Sequence, residues 1–287
     1  MTEIAFLTMD SLDDFVAYDH LLTAELNRRG IEVREISWRA RDVAWADYPL
    51  VVIRSPWDYQ QDLPGFLKVL TEIDASGARM ENNLSVCQWN CRKSYLRDLQ
   101  QAGLSIIPTT WLDEVTVQSL ADATAQISEP ELIMKPLIGA NADLTERLPS
   151  ALTKTQLQQL VSLYQGRSVL VQPFLTSVLD PGEYSLIYFN GNFSHAILKT
   201  PASGDFRVQE EHGSTITPVA PPVAVRQLAD RTIHELPSDL LYARVDILLL
   251  APEQPALIEV ELIEPSLYLP FHPQATKRFC EAILQRL

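Results

Sequence analysis

Glycine is scarce in this chain of 287 residues, and the scarcity limits how the protein can hold a nucleotide. Ten glycines are present, and no two of them are separated by a single residue. The GxGxxG fingerprint of dinucleotide-binding Rossmann domains and the GxxxxGK[ST] P-loop are therefore both absent. If the protein binds phosphate groups, cationic side chains have to hold them.

Cysteine and basic residues are scarce as well. Three cysteines, an odd number in a chain of this length, do not predict a disulfide framework, and Cys87 and Cys91 have no second Cys/His pair nearby to complete a zinc site. We therefore expect buried, reduced thiols and a cytoplasmic location. Lysine and arginine total 23 against 37 aspartates and glutamates, so the net charge of −14 argues against binding of nucleic acid.

Long apolar runs are missing too. The longest, such as DILLLA and VLVQPFL, are too short to span a bilayer. The first ten residues carry acids and no basic region, so they do not predict a secretory signal. These absences argue against a membrane protein and leave small molecules as the expected partners. The sequence does not decide between a monomer and a homodimer.

What the sequence does contain is an alternation of strand and helix patterns over its first 80 residues. Strand patterns cover 3–8, 31–36 and 49–55, and helical patterns cover 17–29 and 62–74. This order predicts a small parallel α/β layer. The following stretch predicts a helix over 85–102, an extended segment at 105–112, helices at 116–126 and 153–165, a strand at 131–136, and a hairpin and loop at 137–149.

From residue 168 the pattern becomes antiparallel. A strand at 168–175 precedes a hairpin over 183–199, which turns at Asn190-Gly191. The stretch 206–212 could add a strand, and helices at 222–236 and 272–286 flank two apolar strands at 242–250 and 256–263. We predict three units, an N-terminal α/β domain (1–84), a central subdomain (85–170) and a C-terminal subdomain (171–287).

The last two predicted strands carry unexpected carboxylates. Side chains two residues apart on a strand share a face, so Glu259 and Glu261 point the same way in ALIEVELI. Asp246 interrupts the strand before it, and a hairpin about 251–255 would bring it close to both glutamates. Buried carboxylates are costly unless cations compensate them, and hard oxygen ligands suit Mg²⁺. Alternation alone also allows a solvent-facing strand, but Arg244, on the same face as Asp246, favours a bound polyphosphate.

Two lysines are candidates for phosphate contacts. Lys93 lies in the predicted helix 85–102, and Lys135 ends the predicted strand ELIMK before a polar loop. Solvated lysines at the ends of elements are the alternative interpretation of each.

The order of these stretches resembles the ATP-grasp superfamily over residues 85–287. The resemblance rests on MKPLIGANADLT, then QPFL with GEYSLI after it, then ARVD, then LIEVELIEP. The stretches SHAILKTPASGDFRVQ and VELIEPSLYLPFHPQA are similar to the small ATP-grasp ligases of the cycloserine-forming type. The resemblance implies an α+β ATP-grasp fold behind an N-terminal Rossmann-like α/β domain. It also implies a ligase that uses ATP and Mg²⁺ to make an acyl phosphate, which an amine then attacks.

The resemblance implies a role for each matching residue. Lys93 and Lys135 would contact the α- and β-phosphates, and Lys199 and Arg244 the γ-phosphate and transition state. Gln172 and the backbone of Phe174-Leu175 would meet adenine, while Glu183 would bind the ribose. Asp246, Glu259 and Glu261 would hold two Mg²⁺ ions, for which Mn²⁺ could substitute. Relatives commonly have Asn at position 261, so either Glu261 or Glu264 could be the third ligand.

The substrate end is defined by fewer residues. If 206–212 is a strand, Asp205 and Arg207 lie on one face, where Arg207 could clamp a substrate carboxylate and Asp205 orient an amine; a surface ion pair is the alternative. RSPWDY follows a buried strand, where α/β sheets place ligands, so Arg54, Trp57 and Asp58 are candidates for the acceptor pocket, although a structural turn fits equally well. We expect His195 and His212 to be hairpin residues without a catalytic role.

Two other functions fit the same residues. One is a nucleotide-binding regulatory protein that keeps the fold without turnover, and the other is an ATP-dependent kinase whose product is the acyl phosphate itself. The three metal-binding carboxylates favour a ligase over the regulatory protein. The sequence identifies neither the acid nor the amine, and it leaves open whether they belong to one molecule.

Overall fold

A computed structural model describes residues 2–237 and 239–287, and its first sheet is parallel. Strands β1 (Thr2–Thr8), β2 (Ile31–Ser37), β3 (Leu50–Ser55) and β4 (Arg79–Glu81) lie in the order β2-β1-β3-β4. Helices α1 (Asp19–Arg28) and α2 (Leu63–Ala75) connect them. All six residues of β3 are buried, as expected for an inner strand that is covered on both faces. The predicted α/β layer is confirmed.

The single helix predicted over 85–102 is wrong. The chain forms α3 (Leu84–Asn90) and α4 (Tyr95–Gln101), and the turn between them contains Lys93. The backbone N–H of Lys93 donates to the carbonyl of Leu137, 2.8 Å away, instead of continuing one helix. The apolar periodicity is the same in both halves, so it could not reveal this break.

The second sheet is antiparallel and has its own core. Its strands β5 (Thr110–Leu112), β6 (Glu131–Pro136), β7 (Glu146–Pro149) and β8 (Val169–Pro173) lie in the order β5-β8-β6-β7. Helices α5 (Val117–Thr124) and α6 (Lys154–Leu163) each begin with a threonine that caps the helix. Both helices contribute to an apolar cluster that includes Leu120, Leu132, Leu160, Tyr164 and Val171. We call this unit the central sheet.

The third sheet is also antiparallel and contains five strands in the order β11-β10-β9-β12-β13. Its strands are β9 (Glu183–Phe189), β10 (Asn192–Thr200), β11 (Thr215–Pro218), β12 (Tyr242–Ala251) and β13 (Gln254–Glu261). Asn190 and Gly191 both have positive φ, as the tight turn predicted there requires. Helices α7 (Val223–Glu235) and α8 (Ala275–Leu284) belong to the same C-terminal unit as this sheet. The strand predicted at 206–212 is instead a loop with a 3₁₀ turn at Glu210–His212.

The N-terminal and C-terminal sheets share one apolar core. A single cluster contains Phe6 and Val52 of the first sheet with Ile187 and Phe279 of the C-terminal unit. The hydroxyl of Tyr242 lies 2.8 Å from the carbonyl of Ile53 and 2.8 Å from that of Ile263. These two sheets are therefore packed as one unit. No helix in the described part of the chain is long and apolar enough to cross a bilayer.

Candidate active site

A deep cavity lies where the central sheet faces the C-terminal sheet, and a loop of the N-terminal sheet closes one end. Its walls are charged to an extent that is rare in a protein interior. The lining includes Lys93, Lys135, Lys199 and Arg244, the carboxylates Glu183, Asp246, Glu259, Glu261 and Glu264, and apolar side chains such as Ile133, Phe174, Leu175, Val178 and Leu248.

The β12–β13 hairpin brings the predicted carboxylates together. Asp246 is paired in register with Glu259, and Arg244 with Glu261, so all four side chains leave the same face of the sheet. The turn at Pro252-Glu253 is tighter than the 251–255 turn expected, but the strands keep the predicted alternation.

Arg244 is the centre of this ion-pair network. It binds the carboxylates of Asp246 and Glu261, and its Nη1 donates to the Ser266 carbonyl over 3.2 Å. Burial acts to raise the pKa of Asp246, but Arg244 and Lys199 outweigh it and hold that pKa below its usual range. The hydroxyl of Ser185 also donates to Asp246. Asp246 is therefore ionised and fixed from three sides.

Glu261 differs from Asp246 although both contact the same arginine. Burial raises the pKa of Glu261 to about 7, and the neighbouring carboxylates of Glu259 and Asp246 add to the rise against Arg244. The crowding of negative charge on this face is thus only partly compensated by the protein itself.

Lys93 projects from the turn between α3 and α4 toward β13. Its Nζ donates to the carboxylate of Glu259 and, over 3.0 Å, to the carbonyl of Gly139. Burial acts to lower the pKa of Lys93, but Glu259, Glu261 and Glu264 outweigh it, so the pKa lies above its usual value. Lys93 therefore joins β13 to the loop that follows β6.

Lys135 faces the same cavity from β6 without a comparable partner. It is 8 % exposed, and no hydrogen bond or ion pair to its amine occurs among the described residues. Burial lowers the pKa of Lys135, and Glu259 opposes this only in part. A buried cation in this situation gains from any anion that enters the cavity.

Lys199 and Glu183 form a buried pair at the start of β9 and the end of β10. They contact each other directly, and Lys199 Nζ lies 3.8 Å from Asp246 Oδ2. Burial acts to lower the pKa of Lys199, but the carboxylates of Asp246 and Glu183 outweigh burial, so the pKa lies above its usual value. Burial also raises the pKa of Glu183 despite the neighbouring lysine.

At the opposite end, the segment after β8 presents backbone groups between apolar walls. The N–H of Phe174 donates to the carbonyl of Glu131 over 2.9 Å. In the described part of the chain, no hydrogen bond reaches the carbonyl of Phe174 or the N–H of Leu175. Gln172 is buried at the same edge, where its Nε2 donates to Thr109 over 2.9 Å. One acceptor and one donor are thus available to a flat heterocycle.

Of the residues proposed for the acceptor pocket, only Trp57 lines the cavity. Arg54 makes a buried ion pair with Asp19 at 3.0 Å, and Asp58 binds Trp38 and Arg39. Both side chains are bound within the N-terminal unit, so of the three residues expected from the strand end the structure places only Trp57 at the cavity.

Asp205 and Arg207 lie in a loop, not on a strand face. They pair with each other at 2.7 Å, and Arg207 lines the mouth of the cavity. The Arg207 side chain holds the pKa of Asp205 well below its usual range. The Asp205 carboxylate is thus paired with Arg207 and not with a group inside the cavity.

The sequence did not single out several residues that shape the cavity. Tyr268 has a positive φ and lies beneath Arg244 and Lys199, at 5.7 and 6.0 Å from its ring centre. Asn90 holds β13 by bonds to the carbonyl of Val260 and the N–H of Leu262, each 2.9 Å long. A buried asparagine on an otherwise apolar helix face was the available signal.

The cysteines and His195 have structural surroundings. Cys87, Cys91 and Cys280 are free and buried, as expected. His195 contacts the Leu267 carbonyl and the Ser194 hydroxyl at 3.0 Å each, and burial lowers its pKa to about 4. It does not line the cavity.

Mg²⁺ fits the donor chemistry of this site, although its ligand set is not preassembled. Hard, ionised carboxylates face the cavity from β12 and β13. Among residues 2–237 and 239–287 no group of three His, Cys, Asp or Glu side chains is already placed to hold a metal ion, and Glu259 and Glu261 are paired with Lys93 and Arg244.

Known proteins similar to this chain share its whole architecture. A family model described as the N-terminal domain of D-cycloserine synthetase DcsG matches residues 4–82. The cycloserine biosynthesis protein DcsG of Streptomyces lavendulae is 29% identical over 99% of both chains. The crystal structure of D-cycloserine synthetase DcsG has 27% identity and a TM-score of 0.86, with 99% of each chain covered.

A more distant structure extends the likeness in fold alone. The ATP-grasp ligase PsnB, solved with a precursor variant, Mg and ADP, has 17% identity and a TM-score of 0.68 over 99% of this chain and 98% of that one. The chain therefore has the ATP-grasp fold, and the resemblance to the cycloserine-forming type is confirmed.

Proposed function

We propose that this ATP-grasp protein, similar to D-cycloserine synthetase, is an ATP-dependent ligase that activates a carboxylate as an acyl phosphate and joins it to an amine. ADP and phosphate are released. The observation that carries the proposal is the convergence of Lys93, Lys135, Lys199 and Arg244 with carboxylates from β12 and β13 on one cavity. Similarity to DcsG over the full chain supports it.

Phosphoryl transfer needs fixed charges more than it needs a base. In the proposed arrangement Lys93 and Lys135 hold the α- and β-phosphates, while Lys199 and Arg244 face the γ-phosphate. Asp246, Glu259 and Glu261 hold Mg²⁺, which when bound neutralises charge on the terminal phosphates. Lys93 and Arg244 would then contact phosphate oxygens in place of carboxylates, which for Lys93 means Glu259 and for Arg244 means Asp246 and Glu261.

The remaining roles follow the walls of the cavity. The carbonyl of Phe174 accepts from the adenine amine and the N–H of Leu175 donates to the ring, with Gln172 beside them. Glu183 accepts from a ribose hydroxyl. Arg207 binds a substrate carboxylate at the cavity mouth, and Trp57 forms a wall of the acceptor end.

Finer points belong to the same proposal. We propose two Mg²⁺ ions, replaceable by Mn²⁺, small amino-acid-like substrates, a cytoplasmic location, and compatibility with a homodimer. The division into units 1–84, 85–170 and 171–287 is retained as a proposal.

ADP release tests the function directly. Wild-type protein with ATP, Mg²⁺ and a pool of amino acids should release ADP, and Glu259→Gln, which removes one ligand charge at nearly constant volume, should not. Tight ATP binding without ADP under every substrate condition would overturn the ligase. Hydroxylamine should trap the acyl phosphate, and trapping at full rate without any amine requirement would identify a kinase.

A further inference from the structure

Glu264 stands apart from the other buried acids of the cavity. Glu183, Asp246, Glu259 and Glu261 each contact a lysine or arginine. Glu264 is 8 % exposed and lines the cavity, yet in the described part of the chain its carboxylate has neither a cation nor a hydrogen-bond donor. Burial, and after it the neighbouring Glu261 carboxylate, raises the pKa of Glu264 well above its usual value, although Lys93 and Arg244 oppose the rise. A cation that enters the cavity beside Glu264 would stabilise its ionised form.

The backbone around Glu264 is held in place by two contacts. Trp57 Nε1 donates to the carbonyl of Glu264 over 2.8 Å, from the loop after β3. Two residues later the carbonyl of Ser266 accepts from Arg244. The carboxylate is therefore presented by a fixed segment that also orients the arginine of the phosphate end.

The surroundings of Glu264 favour an organic cation over a metal ion. Trp57, Tyr59 and the thiol of Cys91 line this end of the cavity, and the charge of Glu264 acts on both Tyr59 and Cys91. Mg²⁺ requires about six hard oxygen ligands, which aromatic rings and a thiol do not supply. The oxygen donors that act on Glu264, the carboxylates of Glu261 and Glu259, are paired with Arg244 and Lys93. An ammonium group beside aromatic faces and one carboxylate is well accommodated.

We propose that Glu264 binds the ammonium group of the substrate whose carboxylate is activated. This inference rests on the proposed ligase function and assigns one residue of its specificity. Lys199 and Arg244, which face the γ-phosphate, mark the position where the carboxylate is phosphorylated, and Glu264 with Trp57 and Tyr59 holds the ammonium side. One small molecule with both groups spans the two, which selects amino acids over simple or 2-hydroxy acids.

The first test compares substrates. The twenty standard amino acids and their D-enantiomers are assayed for ADP release with ATP and Mg²⁺, and each responder is compared with its 2-hydroxy analogue. We expect the analogue to lose at least about 30-fold in kcat/KM, because it leaves the buried carboxylate unpaired. Equal rates for amino and 2-hydroxy acids would overturn the inference and leave the ligase function standing. No ADP with any acid would instead overturn the ligase function.

The second test separates Glu264 from the metal ligands. Glu264→Gln should raise KM for the responding amino acid about 30-fold or more while KM for ATP stays within about twofold. Its affinity for Mn²⁺ in the presence of ADP, followed by electron paramagnetic resonance, should equal that of wild type, whereas the matched variant Glu261→Gln should bind Mn²⁺ more weakly. An equal loss of Mn²⁺ affinity in both variants would identify Glu264 as a metal ligand and would contradict the proposal.

A conservative variant guards against misfolding. If Glu264→Gln does not fold, judged by its melting temperature, Glu264→Asp keeps the charge on a shorter side chain. We then expect Glu264→Asp to raise KM for the amino acid and to spare Mn²⁺ and ATP binding. Unchanged KM in a folded variant would contradict the proposal.

Discussion

The N-terminal and C-terminal sheets both bury charges, and the comparison shows what distinguishes a structural ion pair from a site. In the N-terminal unit, Arg54 pairs with Asp19 and lies over the rings of Tyr242 and Phe279, at 5.7 and 5.4 Å. Neither residue of this pair lines the cavity of the candidate site. In the C-terminal unit the charged side chains line the cavity, and among the described residues neither Glu264 nor Lys135, which faces the same cavity from the central sheet, has an ion-pair partner.

Burial of charge is therefore not by itself a sign of function. A charged side chain that is paired and packed among aromatic rings affects only the stability of the fold. A charged side chain that lines a cavity without an ion-pair partner is available to bind a ligand. Four experiments test this difference, beginning with the largest expected effect.

Breaking the network at Asp246 should be the most damaging change. Asp246→Asn leaves Arg244 and Lys199 with one fewer carboxylate, and losing one partner of a buried pair costs about 3–5 kcal/mol. We expect that loss in urea unfolding, together with a fall in ADP release of at least about 100-fold. Ser185→Ala, which removes only the hydroxyl bound to Asp246, is the milder control. A folded Asp246→Asn with normal ADP release would contradict the assignment of the site.

Breaking the N-terminal pair should affect stability alone. Arg54→Met leaves Asp19 buried without its cation and should lower the free energy of unfolding by about 3 kcal/mol. The double variant Arg54→Met/Asp19→Leu should recover most of that loss, because replacing both partners by apolar groups removes the uncompensated charge. KM and kcat of the folded variants should stay at wild-type values. A large rise in KM would place Arg54 in the site after all.

His195 extends the comparison to a buried group that carries no charge. Its pKa of about 4 in the folded protein lies below the usual 6.5, so the unfolded chain binds more protons between these values. Stability is therefore complete above pH 6.5 and falls with decreasing pH, by about 2 kcal/mol between pH 8 and pH 5. Urea unfolding at several pH values measures this slope, which His195→Asn should reduce. An unchanged slope in that variant would assign the dependence to other groups.

The two phosphate lysines give the smallest and sharpest contrast. Lys93→Met leaves the carboxylate of Glu259 without its ion-pair partner, whereas Lys135→Met removes a cation that has no partner among the described residues. Lys135→Met should therefore be more stable than Lys93→Met by about 1 kcal/mol, although both bind ATP more weakly. Thermal unfolding without ligand gives the first quantity and equilibrium titration with ATP and Mg²⁺ the second. Equal stabilities would mean that the Glu259 ion pair contributes nothing.

The sequence predicted the strands of the C-terminal sheet and the face of the carboxylates because period-two alternation survives in the folded register. The exact pair Asp246–Glu259 does not follow from the position of the turn alone, because the pairing register shifts between Leu249 and Ala251 and again between Asp246 and Ile247. The break at Lys93 was not predictable, since α3 and α4 continue one apolar stripe and differ from a single helix only through a contact with Leu137.

Contacts between distant segments account for the other differences between the sequence-based expectations and the structure. Arg54 lies at the end of a buried strand and Asp58 follows it, as binding residues often do. In the folded chain, however, Arg54 forms an ion pair with Asp19, and Asp58 accepts a hydrogen bond from Trp38. The loop at 205–212 alternates like a strand, yet Asp205 folds back on the N–H groups of Phe206 and Arg207. Local sequence preferences do not reveal which partner a polar side chain will find, because that depends on segments distant in the chain.

The shared core of the first and third sheets has a consequence for how the enzyme opens. Swinging either of them would tear apart a continuous apolar cluster and the bonds of Tyr242. The central sheet has its own apolar cluster, and a smaller cluster, in which Ile133 and Phe174 pack with Leu248 and Ala256, joins it to the C-terminal sheet. We expect opening of the cavity to separate this smaller cluster first, so a cross-link from the central sheet to the β12–β13 hairpin should slow nucleotide exchange.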